Sequence, residues 1–181
     1  MKHLFTFLSA LILFTACDKE DAHIENEEEV ITTLNYTLTP TSGTAITASF
    51  QDLDGDGAGA ATIDSIILSA NTTYTGVFEL LNETESPAEN ITEEVSEEDE
   101  DHQFFFISGV SGLSVAYNDE DADGNPIGIQ NTLTTGAAGS GTLTVVLRHE
   151  PNKSGTDVAS GDISNAGGET DIEVVFNVIV Q

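Results

Sequence analysis

From Val30 onward, apolar side chains recur at every second position in short runs broken by turn residues. VITTLNYTLTP, GTAITASFQD, ATIDSIILSA and NTTYTGVFELL form a first group. HQFFFISG, LSVAYND, IGIQNTLTTG, GTLTVVLRHE and DIEVVFNVIV form a second. These runs are rich in Thr, Val, Ile and Phe, and period-two alternation marks a strand with one face against a core. GSGT, AAGS, NAGG and DGNP supply turn chemistry between them. The pattern predicts an all-β fold, a single antiparallel β-sandwich of about nine strands. In the last run Ile172, Val174, Phe176, Val178 and Val180 share one face while Val175 and Ile179 take the other, which predicts a central strand.

ETESPAENITEEVSEEDED breaks the alternation. Ser86, Pro87 and Glu89 stand in the spacing of a capping box with proline at the first helical position. Ala88, Ile91 and Val95 follow at helical spacing, so a short crossover helix is expected over residues 87–97, frayed by the acids after Val95.

The N-terminus has a different texture. MKHLFTFLSALILFTAC has a polar start at Lys2 and His3, then an apolar run from Leu4 to Ala16 that is short for a membrane span. Residues 1–16 read as a signal peptide. LFTAC resembles a bacterial lipobox, with Phe14 where leucine is usual; the resemblance implies that Cys17 is acylated and inserted in a membrane. Cys17 is the single cysteine of the chain, so no disulfide, thiolate metal site or thiol catalysis is expected. Residues 17–29 continue as an acidic stretch, DKEDAHIENEEE after the cysteine, without apolar periodicity, and read as a disordered tether. That leaves residues 30–181 as one β-sandwich domain, long enough for a real core.

Charge sharpens the picture. The chain carries 32 acidic residues against 4 Lys and Arg, a net charge of -28. Such a chain has no basic footprint for phosphates, so nucleic acid is excluded as a partner, and adsorption to anionic headgroups is disfavoured. Acidity instead favours solubility, cation binding or simple repulsion from other acidic surfaces.

Within the folded region the basic residues are Arg148 and Lys153, both in LRHEPNKSG. His149 ends a core-facing row with Leu143, Val145 and Leu147, and His102 begins one with Phe104 and Phe106. If the two strands are antiparallel neighbours, the histidines meet at one rim beside the acids of residues 97–101. Three readings of that corner compete. Arg148 and Lys153 could clamp Glu97, Glu98, Asp99, Glu100 or Asp101 as exposed ion pairs. His102 and His149 could bind zinc or copper with Glu98, Asp101 or Glu150. The two cations could also hold an anion.

Calcium is a separate candidate. Asp52, Asp54 and Asp56 before Gly57, and Asp119, Asp121 and Asp123 before Gly124, both spell D-x-D-x-D-G, the first half of an EF-hand-like loop. Position twelve is Ile63 in one and Gln130 in the other, and an Asp-Gly turn between strands gives the same letters. Catalytic motifs such as G-x-S-x-G and H-E-x-x-H are absent, and no enzyme is expected.

LNETESPAENITEEV, DEDHQFFF, TTGAAGSGTLTVVLRHEPNK and GGETDIEVVFNV carry a resemblance to small Flavobacteria- or Bacteroidetes-type outer-membrane lipoproteins, covering most of residues 70–181. The acidic stretch after Cys17 resembles the surface-export signal of such proteins. Members accompany TonB-dependent receptors, and some are labelled with a type 1 periplasmic-binding fold, a doubly wound α/β architecture that lacks support in this strand-rich chain. The resemblance implies a lipid-anchored, surface-exposed, non-enzymatic binding protein of the outer membrane. As an accessory capture module it would handle a metal or metal complex for such a receptor. The alternative is a structural or adhesive module stiffened by calcium.

Overall fold

The computed structural model describes residues 29–54 and 59–181. The leader, Cys17, most of the acidic tether and Asp56 lie outside the described residues.

The chain runs β1 (Thr33–Pro40), β2 (Ile46–Gln51), β3 (Thr62–Ile63), β4 (Ile66–Leu68), β5 (Thr73–Asn82), β6 (Glu89–Asn90) and α1 (Ile91–Glu97). It continues through β7 (His102–Ser108), β8 (Ser114–Tyr117), β9 (Gln130–Thr134) and β10 (Gly139–His149). Two 3-10 turns, Val158–Ser160 and Ile163–Asn165, precede β11 (Glu169–Val180). One sheet has the order β3-β2-β1-β5-β9-β8, with β6 paired to β5; the other has the order β4-β11-β10-β7. The fold is all-β with one helix, two sheets packed face to face. All pairings of named strands are antiparallel except β4 with β11, which is parallel. Parallel pairing follows from chain direction, since β4 joins the second sheet from a crossover rather than a hairpin.

The alternation read in the sequence becomes the core. Leu34, Tyr36 and Leu38 of β1, Tyr74, Phe78 and Leu80 of β5, and Ile172 to Val180 at alternate positions of β11 are all buried. Tyr36 stacks on Phe78 at 4.2 Å between ring centroids and Phe78 on Phe104 at 4.6 Å, so one aromatic column joins the two sheets. Each such ring removed from water contributes about 1.5–3 kcal/mol. The Tyr36 hydroxyl donates to Asn131 Oδ1 at 2.7 Å, and Gly76 leaves the space this needs. A Cβ at position 76 would sit 2.2 Å from that oxygen.

β11 lies between β4 and β10, as its two apolar faces predict, yet Val175 and Ile179 remain 44% and 42% exposed on the outer side. Further along the same outer face, Phe105 and Val146 are covered by Val158 and Ala166 from residues 150–168, making a second small core.

The helix starts later than its capping box predicts. Glu89 and Asn90 pair with Asn82 and Leu81 of β5, which holds them extended, and Asn90 becomes the cap. Ile91 and Val95 are buried as expected, whereas Ala88 is exposed. None of the helices among the described residues is long and apolar enough to cross a membrane.

Candidate metal centre

β7 and β10 are antiparallel neighbours, and their register sets His102 directly opposite His149. Their ring centroids are 4.8 Å apart. Both imidazoles point inward at the end of the sandwich, 0% and 5% exposed.

Two further residues close the group. The β10–β11 register slips between Leu147 and Arg148: Leu147 faces Ile172, but Arg148 faces Thr170, so Asp171 is the extra residue of a β-bulge. A bulge re-aims a side chain that strict alternation would send outward. The Asp171 side chain is accordingly 0% exposed and stands against both histidines. Glu29, just ahead of β1, enters from the other side with its side chain 6% exposed. Strand β1 is fixed nearby by the Thr32 amide, which donates to the Leu81 carbonyl at 3.0 Å.

Each carboxylate turns one oxygen to each imidazole. His102 Nε2 is 3.0 Å from Glu29 Oε1 and 3.8 Å from Asp171 Oδ2. His149 Nδ1 is 3.5 Å from Glu29 Oε2 and 3.6 Å from Asp171 Oδ1. One ligand atom from each of the four lies within 4.8 Å of the others. A tetrahedral ion with bonds of about 2.0–2.2 Å requires ligand atoms about 3.3–3.6 Å apart. The imidazole–carboxylate approaches of 3.0–3.8 Å bracket that spacing, and the whole group, within 4.8 Å, has to draw in to close on an ion.

Hydrogen bonding points the same way. Glu98, at the C-terminal end of α1, offers its backbone carbonyl 3.0 Å from His102 Nδ1. A carbonyl only accepts, so Nδ1 carries a hydrogen, and in the neutral ring the Nε2 lone pair then faces the centre of the group, the arrangement that orients a metal-ligating histidine. Glu29 Oε2, His102 Nε2 and both Asp171 oxygens are buried without a hydrogen-bond partner. The 3.0 Å approach of His102 to Glu29 is close but not aligned for a hydrogen bond. Buried polar atoms are almost always partnered, and a cation set among these four would satisfy them together. Two carboxylates, two neutral imidazoles and a divalent cation sum to zero charge.

The four groups also shift one another's protonation. Burial and the neighbouring Glu29 charge push the Asp171 carboxyl up to about 7, against the pull of both histidines. Burial pushes the His102 imidazole down, but the close approach and charge of the Glu29 carboxylate, helped by the Glu98 carbonyl, raise it on balance. Burial pushes Glu29 up, and contact with His102 outweighs this and holds its carboxyl low.

The residues proposed from sequence divide clearly. His102 and His149 come together. Glu98 contributes its carbonyl rather than its carboxylate, and Asp101 accepts the Glu150 amide at 2.7 Å through its own backbone. None of the Glu98, Asp101 and Glu150 carboxylates joins the four-residue group. Glu29 and Asp171, which do, were not singled out. Gly168 holds this corner: at φ +67 it lies so near the His149 carbonyl that a Cβ would be 2.2 Å from it.

The two cations do not form carboxylate pairs with residues 97–101. Lys153 is buried, donating to the Asp99 backbone carbonyl and to Asp121 Oδ2 at 3.0 Å, so it pins the acidic segment by its main chain. Arg148 reaches the Gly168 carbonyl at 3.4 Å.

The aspartate loops are tied by internal donors. Asp121 Oδ1 accepts the amides of Asp123 and Asn125, and Asp119 accepts those of Gly128 and Gln130. Asp52 accepts the Asp54 amide, and Asp54 accepts that of Gly59. Asp119, Asp121 and Asp123 do not gather as a three-ligand group among the described residues. Compared with known proteins, the chain matches no family model, no curated protein and no solved structure.

Proposed function

We propose that this protein is a non-enzymatic binding module that holds one transition-metal ion, zinc foremost, between Glu29, His102, His149 and Asp171. The observation that carries the reading is the convergence of four buried ligand atoms, four of whose nearby N and O atoms lack any hydrogen-bond partner, within 4.8 Å. Two imidazoles with two carboxylates favour zinc, with copper the next candidate; calcium takes oxygen ligands and has no use for the histidines. Such near-complete closure suits an ion that is held rather than one that activates water for catalysis.

The leader, the lipobox-like LFTAC and the acidic stretch support a setting outside the cytosol, with Cys17 anchoring the chain in the outer membrane and the sandwich exposed at the surface. The resemblance to receptor-associated lipoproteins supports a TonB-dependent receptor as the partner for which the metal is held. The rival, a structural module stiffened by calcium, is less well supported, because the Asp119 and Asp121 carboxylates already accept internal donors.

Thermal melts and metal analysis test this reading. Zinc at a hundred times its Kd stabilises a native state by about 2.7 kcal/mol, and for a domain of this size each kcal/mol moves Tm by about 2–4 °C. The expected result is a zinc-dependent rise of about 5–10 °C. It is lost in His149→Ala, with no comparable rise in calcium. No rise with zinc or copper would sink the reading.

A further inference from the structure

The four ligands are almost closed to solvent, so an ion needs a route to them. A cleft of about 570 Å³ lies beside the group, with Glu29 and Asp171 but neither histidine among its lining residues. Topology places it there. β4 pairs with β11 only along Val178–Val180, so the first half of β11 has β10 on one side and no strand on the other among the described residues. The end of β2 lies across this gap, tied to the segment carrying Glu29 by the Asp52 amide, which donates to the Thr32 carbonyl at 2.8 Å. Ile31, Phe50 and Ile172 give the cleft apolar walls; Asp52, Asp54 and Glu173 add carboxylates; among the described residues no basic one lines it. The acids alone would signify little, but Asp171 is a lining residue whose carboxylate, fully buried just behind the cleft wall, has both oxygens without a hydrogen bond.

We propose that this cleft is the loading port of the metal centre and that it admits a free, hydrated divalent cation rather than an anionic metal chelate. The proposal rests on the metal reading above and specifies what the centre takes up. Carboxylates set in apolar, low-dielectric walls focus the field and raise the local cation concentration. An ion arriving this way meets Glu29 and Asp171 first, exchanges water for their oxygens, and reaches the imidazoles last. A negatively charged chelate meets like charge at every ionised group of the described wall.

Stopped-flow loading of the full chain with Co²⁺ tests this, followed by the visible absorption that grows when cobalt becomes tetrahedral. Glu173→Lys places a cation in the cleft and Thr84→Trp narrows it; both positions are exposed and neither is a ligand. Glu173→Lys should slow loading by about tenfold or more, and wild-type loading should fall steeply with added salt. Thr84→Trp should slow entry and release together, leaving affinity nearly unchanged. Cobalt supplied as its citrate complex should load only as fast as free ion dissociates from it. Equal loading rates for both variants and wild type, with cobalt still bound one to one, would overturn the port while leaving the metal reading intact. Loading of the citrate complex as fast as the aquo ion would overturn the selectivity. Failure of wild type to take up cobalt or zinc would overturn both the port and the reading it rests on.

Discussion

Asp171→Asn removes a ligand, yet it should stabilise the chain when no metal is supplied. The Asp171 side chain is fully buried beside Glu29, and its carboxyl is pushed from 3.8 up to about 7. Three units of displacement correspond to a cost on the order of 4 kcal/mol once the group is forced to ionise above that value. Asparagine escapes this cost but retains polar atoms that need partners, worth about 1–3 kcal/mol. The net gain expected at pH 8 in chelator is therefore about 1–3 kcal/mol, or a Tm higher by about 5 °C. At pH 5 the wild-type carboxyl is protonated and the gain should shrink towards zero. The sign follows from linkage. Between about pH 4 and 7 the folded chain keeps a proton on Asp171 that the unfolded chain has released, so wild-type stability falls as pH rises. His102, also raised, acts in the same direction: its contribution is complete below about 6.5 and is lost as pH climbs through the higher folded value. Zinc should invert the order, stabilising wild type and leaving Asp171→Asn nearly unmoved. Melts followed by circular dichroism at pH 5 and 8, in chelator and in zinc, read all four conditions. An asparagine variant less stable than wild type in chelator at pH 8 would refute the argument.

Lys153→Met should cost about 3 kcal/mol in urea unfolding, since it strands the buried Asp121 carboxylate and frees the Asp99 carbonyl. Burial pushes Asp121 up, but the Asn125 amide and Lys153 together hold it below the ordinary aspartate range. Its contribution is therefore present above about pH 3.8 and disappears as pH falls through its lower folded value, so the variant should lose part of the wild-type acid transition. Tyr36→Phe removes the donor to Asn131 Oδ1 in a fully buried setting, and should cost about 1–3 kcal/mol by the same measurement without altering metal uptake.

How much of this was legible in the sequence depends on which rule governs each residue. Alternation sets the strands, and the facing of His102 and His149 needed only one further fact, that β7 and β10 are antiparallel neighbours. Asp171 escaped because parity along DIEVVFNVIV sends it outward, and the bulge that reverses it comes from pairing with β10, which the strand's own letters do not encode. Glu29 escaped for a different reason: as the last acid of EEE it is chemically indistinguishable from its neighbours, and position alone separates it from the tether. The clamp was half visible. Lys153 does hold the acidic segment, but through a carbonyl and through Asp121, because a buried ammonium needs several acceptors at once. The helix boundary moved because pairing of Glu89 and Asn90 with β5 overrode the local capping pattern.

Zinc X-ray absorption on the loaded chain tests the central claim most directly. One ion per chain is expected, with two nitrogen ligands at about 2.0–2.1 Å and two oxygens at about 2.0–2.2 Å. His102→Ala should remove one of the nitrogens. A first shell of oxygens alone, or one that His102→Ala leaves unchanged, would contradict the assignment of the metal to these four residues.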